Sequence, residues 1–442
     1  MSFSQALSGL SAQSENLKVI SNNIANSQTV GFKGGNAVFA DVFAGANSKV
    51  GLGTSVAAIT QDFTSGDLEN TGRNLDLAVA GEGFYRLENT SGEAVFSRNG
   101  QFNQDADGFL VNATGQRLTG YGLSDPNDPF SNVVVGGAPE ALRIPRDDIP
   151  AQATTEASAI YNLDASAEAG VDLQSSSILD GAGDEQDIQY HYSNSYTAYD
   201  SLGNEHVITH YFRKTADNQW DTHVALDGVI NGYQEPPAGT ADGKPAANGD
   251  NYFTLEFDGN GALETNADGA VIGVAGGQNF ANLQFAAASY DLGGAEDIVF
   301  DFTLTGTTQY NNNSVQNTLS QDGYSSGSLA GVEVLEDGTI MRNYTNEERR
   351  AAGQLVLTSF ANAEGLQPDG DNAWRATNAS GEPVIGAAGT GMFGTIASGV
   401  LENSNVDLAS ELVDMIVAQR AYQANSTSIS TQDELLQTVI QL

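Results

Sequence analysis

The sequence predicts a mainly β protein with α-helical termini, built from nested discontinuous β domains and a terminal helical, coiled-coil-like domain. Apolar residues recur at alternating intervals of four and three near both ends of the chain, a spacing typical of amphipathic helices. Between the ends, apolar and polar residues alternate along short stretches separated by glycine-containing turns, which indicates strands. The 442 residues are too many for one core, so we expect several domains.

The N-terminal stripe predicts an amphipathic helix of about six turns. Its five apolar positions are Phe3, Leu7, Leu10, Leu17 and Ile24. Its two polar positions are Ser14 and Ser21. Residues 21–35, rich in asparagine and glycine, are expected to end the helix, because asparagine side chains can bond the free backbone groups of a helix end and glycine permits a sharp exit.

The C-terminal stripe predicts a longer helix, of about 50 Å. Its seven apolar positions are Leu408, Leu412, Met415, Tyr422, Ile429, Leu436 and Ile440. Its three polar positions are Gln419, Ser426 and Asp433, and residues 404–407 can cap its start. Because both stripes contain polar residues, the two helices alone would make a weak hairpin. We therefore expect further apolar partners from other copies of the chain.

Two blocks between the helices are expected to form antiparallel strands. Residues 74–123 contain short alternating stretches separated by Ser-Gly, Asn-Gly and Asp-Gly dipeptides, which favour tight turns. The second block extends from about residue 320 to about residue 360 and contains the dipeptide Asp337-Gly338, which predicts a hairpin.

The segment 147–310 differs from both blocks in its charge. It holds 26 of the 56 acidic residues of the chain but only three bases, Arg213, Lys214 and Lys244. Strand-like stretches within it indicate a β domain of its own, with solvated outer faces. We interpret this segment as an insertion between the halves of another domain.

The result is a nested layout, in which the first segment pairs with the last and each inner segment with its counterpart. The predicted domains are a terminal α-helical polymerisation domain (1–24 with 405–442), an extended connecting segment (25–73 with 359–404), an inner β domain (74–146 with 318–358) and an inserted acidic outer β domain (147–317).

Composition excludes several classes of function. The net charge of −39 argues against nucleic acid and against an anionic membrane surface as ligands, since binding to either depends on Lys and Arg. The chain has no cysteine, so disulfides, thiolate metal sites and thiol catalysis are absent. We also expect no cleaved signal peptide and no membrane insertion, because the sequence shows no basic leader and no apolar run of about 18 residues.

Motifs for catalysis, cofactors or metals are weak. The segment GEGF at 81–84 lacks the third glycine and the helix of a dinucleotide site, so we interpret it as a turn. NQDADG at 103–108 has the first oxygen positions of a calcium loop, but Thr114 stands where a bidentate glutamate is needed. A hairpin turn is the favoured interpretation and a weak calcium site the alternative, as for NADG at 266–269 and PDGDN at 368–372.

The histidines are not expected to bind a metal ion either. All four lie in the acidic segment, at His191, His206, His210 and His223. The pair in EHVITH is four residues apart, about 13 Å along a strand, which one metal ion cannot span. A pair of carboxylates of the glycosidase kind stays open, since 56 acids supply many such pairs. We predict no catalytic residue, no cofactor and no metal site.

Both ends of the chain resemble a known protein family. SGLSAQSENLKVISNNIANSQTVGFKGG, residues 8–35, resembles the N-terminal signature of the bacterial flagellar axial proteins, which include rod, hook and hook-associated proteins. The signature falls on Asn22, Asn23, Asn26, Thr29, Gly31, Phe32 and Lys33. Residues 405–426 are similar to the C-terminal helix of that family, and several internal stretches resemble its hook branch. The asparagine run after Tyr310 departs from the family pattern.

This resemblance implies a structural subunit rather than an enzyme. Proteins of the hook branch self-assemble into a curved, flexible tube, a universal joint that transmits torque from rod to filament and encloses the export channel. It implies as partners other copies of the chain, the distal rod protein, the hook cap protein, the hook–filament junction protein, the flagellar type III export apparatus and the hook-length control protein. It also implies an extracellular location, reached without a cleaved signal peptide.

Two alternatives stay open at this point. A distal rod protein or another flagellar axial protein would share the terminal signature. From another class, an acidic extracellular β protein that binds calcium or glycan would also account for the Asp-Gly loops.

Overall fold

The computed structural model describes residues 3–42, 51–230, 252–264 and 280–440. Two long helices lie at the ends of the sequence, α1 at Phe3–Ala25 and α3 at Leu408–Ile440, and a short helix, α2, spans Ala287–Tyr290. A single 3-10 turn covers Ala363–Gly365. The two predicted terminal helices and the mainly β fold class are therefore confirmed.

Thirty strands occupy most of the described chain between the long helices. The first ten are β1 (Gly35–Val42), β2 (Gly53–Gln61), β3 (Leu68–Asn70), β4 (Leu77–Ala80), β5 (Phe84–Glu88), β6 (Ala94–Ser97), β7 (Asn103–Gln104), β8 (Leu110–Val111), β9 (Arg117–Tyr121) and β10 (Glu140–Ala141). The next twelve are β11 (Glu156–Asp164), β12 (Gln174–Asp180), β13 (Glu185–Tyr190), β14 (Tyr192–Tyr199), β15 (Glu205–Ala216), β16 (Gln219–Leu226), β17 (Val229–Ile230), β18 (Tyr252–Glu256), β19 (Phe280–Phe285), β20 (Ile298–Thr303), β21 (Thr308–Tyr310) and β22 (Val315–Gln321). The last eight are β23 (Leu329–Val334), β24 (Thr339–Tyr344), β25 (Arg349–Ser359), β26 (Gln367–Gly370), β27 (Ala373–Arg375), β28 (Val384–Ala387), β29 (Thr395–Ser398) and β30 (Val400–Glu402).

The chain folds as two compact units. The first unit is formed by Met1–Asp147, Leu329–Asn343 and Arg349–Leu442, and the second by Asp148–Ser328 and Tyr344–Glu348. The second unit begins at Asp148, one residue after the predicted start of the insert at residue 147. Its long segment ends at Ser328, beyond the predicted end of the insert at residue 317. The four-part division of the sequence remains a prediction.

The first unit is built from both ends of the sequence. Its largest sheet has the strand order β23-β24-β25-β9-β5-β6-β27-β26, with shorter strands at its sides. Two smaller ladders join distant segments, since β3 pairs with β30 and β4 pairs with β29, both antiparallel. A core of apolar side chains lies under these strands, and it includes Leu77, Tyr85, Phe102, Leu355 and Ile396.

The second unit has two sheets that enclose one core. One sheet has the order β19-β20-β11-β21, with β22 also paired to β11. The other has the order β13-β12-β17-β16-β15-β14, with β18 paired to β16. Aromatic residues from both sheets meet in the core, among them Tyr161, Phe212, Trp220 and Phe302. The alternating burial along β15 and β20 is the pattern expected when one face of each sheet is covered.

The predicted turns are found where the sequence placed them. The backbone N–H of Gly338 donates to the carbonyl of Leu335 at 2.9 Å, which closes the predicted hairpin between β23 and β24. In the segment NQDADG, Asp105 Oδ1 accepts hydrogen bonds from the backbone N–H groups of Asp107 and Phe109 at 2.9 and 2.8 Å, so this loop is a hairpin turn. The GEGF segment is likewise a bend between β4 and β5.

Candidate functional site

The two terminal helices pack antiparallel through small side chains. Asn23 Nδ2 donates to Glu411 Oε1 at 2.9 Å near one end of the pair. Fourteen residues further along each helix, a Cβ added to Gly9 would lie 2.8 Å from Asn425 Nδ2. The buried residues of α1 are Ala6, Gly9, Ala12, Ile20 and Asn23. The seam between the helices is therefore close but contains little apolar surface.

The less exposed face of α3 is shifted by one residue relative to part of the predicted apolar stripe. Its less exposed residues, spaced four and three apart, are Glu411, Met415, Ala418, Tyr422, Asn425, Ile429 and Gln432. Met415, Tyr422 and Ile429 belong to the predicted stripe, whereas Leu412 is exposed and the residue before it turns inward. The small side chains of α1 explain this, because close helix approach brings polar and small residues into the seam and turns large ones outward.

Five of the twelve large apolar residues predicted for assembly are exposed. Leu10, Leu17 and Ile24 are half-buried. The exposed ones are Phe3 (51% exposed), Leu7 (50%), Leu408 (46%), Leu412 (46%) and Leu436 (55%). Ile440 ends α3, and its side chain lies outside the described residues. Sequence reasoning missed four further exposed apolar residues of α3, which are Val413, Ile416, Val417 and Leu435.

A β-hairpin formed by β1 and β2 lies along α1, a partner that the sequence did not predict. Gln5 Nε2 donates to the carbonyl of Gly51 at 2.6 Å, and the backbone N–H of Thr54 donates to Ser8 Oγ at 3.2 Å. At the other end of the hairpin, Gly35 approaches Val19 and Asn23. The helix therefore has a second neighbour within its own chain besides α3, in addition to the partners expected from other copies.

Asparagine side chains fix the turn that follows α1. Asn23 forms a reciprocal pair with the backbone of Gly35, donating from Nδ2 at 2.8 Å and accepting at Oδ1 at 2.9 Å. Asn26 Nδ2 donates to the carbonyl of Asn22 at 3.0 Å, and Thr29 Oγ1 donates to Asn26 Oδ1 at 3.2 Å. The signature asparagines thus satisfy backbone groups at the helix end.

Gly31 occupies a position that only glycine fits. Its φ is +69°, and an added Cβ would lie 2.6 Å from the backbone nitrogen of Asn99. Its N–H donates to the carbonyl of Glu402 at 2.8 Å. The turn therefore packs closely against the β core of the first unit at Gly31.

Lys33 is the buried anchor of the turn. Its Nζ donates to Glu402 Oε1 and to the carbonyl of Thr64, both at 2.6 Å, and its side chain is completely buried. Arg98 lies on the other side of the same carboxylate, with Nη1 3.2 Å from Glu402 Oε2. The backbone N–H of Gly66 also donates to this carboxylate, at 2.9 Å. These partners satisfy a carboxylate that would otherwise be costly to bury.

Burial lowers the pKa of Lys33 below its ordinary value of 10.5, and the hydrogen bond and charge of Glu402 oppose this effect. The anchor therefore connects residues far apart in the sequence, since Lys33 directly follows the turn after α1 and Glu402 directly precedes the segment that leads into α3. The sequence offered Lys33 as part of the signature, but no spacing pattern pointed to Glu402 as its partner.

Phe32 faces a groove instead of this core. Its side chain is half-buried, and it lines a cavity of about 530 Å³ together with Val19, Leu366 and Trp374. Trp374 is itself fixed by a hydrogen bond from Nε1 to Gln61 Oε1 at 2.6 Å. Lys33 and Phe32 therefore have different surroundings, one a buried ion cluster and the other an accessible groove.

Three of the four histidines of the second unit, His206, His210 and His223, are buried. His210 is completely buried, and its ring stacks on Phe302 with centroids 4.4 Å apart. Burial lowers the pKa of His210 to about 3 and that of His223 to about 4. His206 lies between two carboxylates, with Nδ1 2.7 Å from Asp227 and Nε2 3.3 Å from Asp200.

In the part of the chain that the structure describes, no group of three or more His, Asp or Glu side chains is arranged to hold a metal ion. The NADG segment at 266–269 lies outside the described residues. The PDGDN segment at 368–372 ends β26 and turns into β27.

Family models match along most of the chain. Residues 4–33 match the model described as "Flagella basal body rod protein", and residues 78–157 the "Flagellar hook protein FlgE/F/G D1 domain". Residues 162–324 match the "Flagellar basal body protein FlaE D2 domain", and residues 397–442 the "Flagellar basal body rod FlgEFG protein C-terminal".

Relatives match over the full length. The flagellar hook protein FlgE of Escherichia coli (strain K12) is 44% identical over 446 residues, which cover 100% of each chain. The chain belongs to the flagellar hook protein family. The hook protein of Salmonella typhimurium is 43% identical, again over 100% of each chain. Since these full-length relatives are hook proteins, the hook interpretation is favoured over the rod alternative.

A solved hook protein structure is also similar. The crystal structure of Helicobacter pylori flagellar hook protein FlgE2 matches with a TM-score of 0.49 and 13% identity, covering 74% of this chain and 98% of that chain.

The hook protein family is a structural one. Among the described residues, no helix combines the length and the apolar character needed to cross a membrane.

Proposed function

We propose that this chain is the structural subunit of the bacterial flagellar hook, and that its copies polymerise through the terminal helices α1 and α3 into a curved, flexible tube. The tube acts as a universal joint that transmits motor torque from the rod to the filament and encloses the export channel. The observation that supports this most directly is the exposure of large apolar side chains along both helices of a single copy.

The free energy for assembly comes from covering these side chains. Full burial of one Leu, Ile, Val or Phe contributes about 1.5–3 kcal/mol. Phe3, Leu7, Leu412 and Leu436 are each about half exposed in the single chain. A neighbouring copy that covers them supplies a favourable term that the chain alone lacks. The half-buried Met415, Tyr422 and Ile429 have less left to gain.

The signature turn has a supporting role in this proposal. Asn22, Asn23, Asn26, Thr29 and Gly31 fix the exit of the chain from α1. Lys33 and Glu402 then anchor that exit in the β core. A load applied to the helices is transmitted to the β structure through these bonds, which suits a subunit that carries torque.

Partners and location follow from the same proposal. The chain is exported through the flagellar type III apparatus and functions outside the cell. Its partners are other copies of itself, the distal rod protein, the hook cap protein, the hook–filament junction protein and the hook-length control protein. It takes no cofactor and is not an enzyme. Neither nucleic acid nor membrane insertion is part of this function.

Electron microscopy of the concentrated, purified chain tests the proposal. We expect hollow, curved tubes, together with sedimentation of most of the protein above a critical concentration. A chain that stays monomeric at all concentrations and gains thermal stability with calcium but not with magnesium would overturn the proposal. That result would favour the acidic calcium-binding alternative.

A further inference from the structure

Arg420 is the one basic residue in the last 67 positions of the sequence, after Arg375. It lies in the middle of α3 with an exposed side chain, and the described part of the chain brings no carboxylate within ion-pair distance of it. Two other exposed bases of the first unit form ion pairs within the chain. Lys18 lies 2.7 Å from Glu15, and Arg375 lies 2.7 Å from Asp369. Among the described residues, Arg420 is thus an exposed cation without a carboxylate partner.

Glu434 is the matching anion on the same helix. Its side chain is exposed and makes no hydrogen bond or ion pair with the described residues. The neighbouring acid differs, since Asp433 Oδ2 accepts a hydrogen bond from Gln437 Nε2 at 3.1 Å. Residue 9 of α1 lies beside residue 425 of α3, and the two helices run in opposite directions. Glu434 therefore lies beyond Phe3, the residue at which α1 begins.

Helix geometry places these two side chains on one side of α3 but keeps them apart. Fourteen residues correspond to about four turns, so Arg420 and Glu434 point within about 40° of each other. Along the axis they are separated by about 21 Å. No arginine side chain spans that distance, so the two groups cannot pair within one copy. They can pair only between copies.

The surroundings of the two groups suit a contact between copies. Val413, Ile416 and Val417, which are 60%, 51% and 60% exposed, lie on the side of α3 that carries Arg420. Leu435, which is 62% exposed, follows Glu434. Each charge therefore borders apolar surface that assembly would cover, and an ion pair at such an edge gives specificity and register to a mainly apolar contact.

We propose that Arg420 of one copy pairs with Glu434 of a second copy in the assembled tube. The proposal rests on the proposed function, in which copies polymerise. Copies related by one helical axis direct their α3 helices the same way, so both side chains point to one common side of the contact. They pair along its edge, with neighbouring helices about 21 Å out of register. With four acids and one base on α3, each copy otherwise brings a net negative helix to the contact. Arg420 offsets that repulsion.

Charge exchange in the full-length chain tests the pair, with the critical concentration for tube formation as the readout. Arg420→Glu and Glu434→Arg are each expected to raise it by about tenfold, because each places like charges opposite one another. The double variant Arg420→Glu/Glu434→Arg is expected to return to within about twofold of the wild type. Circular dichroism and the thermal transition confirm that each variant folds.

The control is Arg420→Glu combined with Asp433→Arg. It has the same net charge as the exchanged pair, but residue 433 points about 100° away from residue 434. We expect no rescue by this control. Equal rescue by both double variants, or wild-type tube formation by Arg420→Glu, would overturn the pair while leaving the proposed function intact. A wild-type chain that forms no tubes would overturn both.

Discussion

The terminal helices and the second unit bury their apolar residues to very different extents. Among the described residues, the larger apolar core of the second unit contains 23 buried residues, including Phe212, Trp220 and Phe302. In residues 408–438 of α3, whose side chains are described, Ala418 is the one apolar residue that is buried. The second unit therefore has a core of its own, whereas the helices have large apolar side chains that need a partner. One chain therefore combines a unit that has its own apolar core with terminal helices that expose apolar side chains.

Removal of either helix should break assembly completely. A chain without residues 1–24 or without residues 408–442 is expected to form no tubes, because the exposed apolar side chains of that helix are lost. The thermal transition of the β structure should remain, since none of the described residues of α1 or α3 belongs to the main apolar core of either unit. Negative-stain microscopy and calorimetry measure the two effects.

The full-length chain under the same conditions is the control for the truncations. Tubes formed by either truncated chain would contradict the role of the helices. If a truncated chain lost the thermal transition as well as tube formation, the β structure would depend on the helices. The contrast between the helices and the second unit would then fail.

The buried anchor formed by Lys33 and Glu402 lies in the first unit and is expected to stabilise the fold of one copy. Lys33→Met should lower the free energy of unfolding of the first unit by about 3–5 kcal/mol, because it leaves the buried carboxylate of Glu402 with fewer partners. Lys18→Met removes an exposed ion pair and should cost less than about 1 kcal/mol. Chemical denaturation compares the two variants. Equal effects would show that Lys33 does not anchor the fold.

Acid should weaken the second unit through its buried histidines. The pKa of His210 is about 3 in the folded chain, below its ordinary value of 6.5, so the unfolded chain binds the proton more tightly. This contribution to stability is complete above pH 6.5 and is lost as the pH falls toward 3. At pH 5 the loss from His210 is about 2 kcal/mol.

The variant His210→Phe keeps a ring beside Phe302 and removes the titrating group. Between pH 7 and pH 5 its loss of stability should therefore be smaller than that of the wild type by about 2 kcal/mol. A decrease remains, because His223 also has a lowered pKa. Identical pH profiles for variant and wild type, followed by denaturation, would contradict this account of the core.

Two glycines with nearly equal φ angles form a matched pair, and the difference between them is the smallest expected effect. Gly31 has φ +69° and is crowded by Asn99, whereas Gly72 has φ +70° and has no atom within 4 Å of an added Cβ. Gly72→Ala should cost about 1 kcal/mol from backbone strain alone. Gly31→Ala should cost about 1–2 kcal/mol more, because the turn must shift. Equal losses of stability in denaturation would mean that the turn is not held against the core.

Sequence reasoning identified the parts that depend on local pattern. The spacing of apolar residues predicted both long helices, and the Asp-Gly dipeptides at residues 107 and 337 predicted hairpin turns. These features depend on neighbours within a few residues. The N-cap of α3 was also within the predicted segment, where Asp407 Oδ1 accepts from the backbone N–H of Ala409 at 2.8 Å.

The parts that were missed depend on contacts between distant residues. The pair Lys33–Glu402 joins positions 369 residues apart, and no periodicity reveals it. The hairpin of β1 and β2 was interpreted as a connecting segment, because its position beside α1 is a tertiary feature. The shifted face of α3 follows from the close approach at Gly9, which the apolar stripe alone could not show.

Amide hydrogen exchange, measured on the dilute monomer and on assembled tubes, tests the central claim most directly. In the monomer we predict fast exchange along α1 and α3 and strong protection of strands such as β15, β16 and β25. In tubes both helices should become protected, because other copies cover their apolar side chains. Strong protection of both helices in the dilute monomer, unchanged on assembly, would contradict the account.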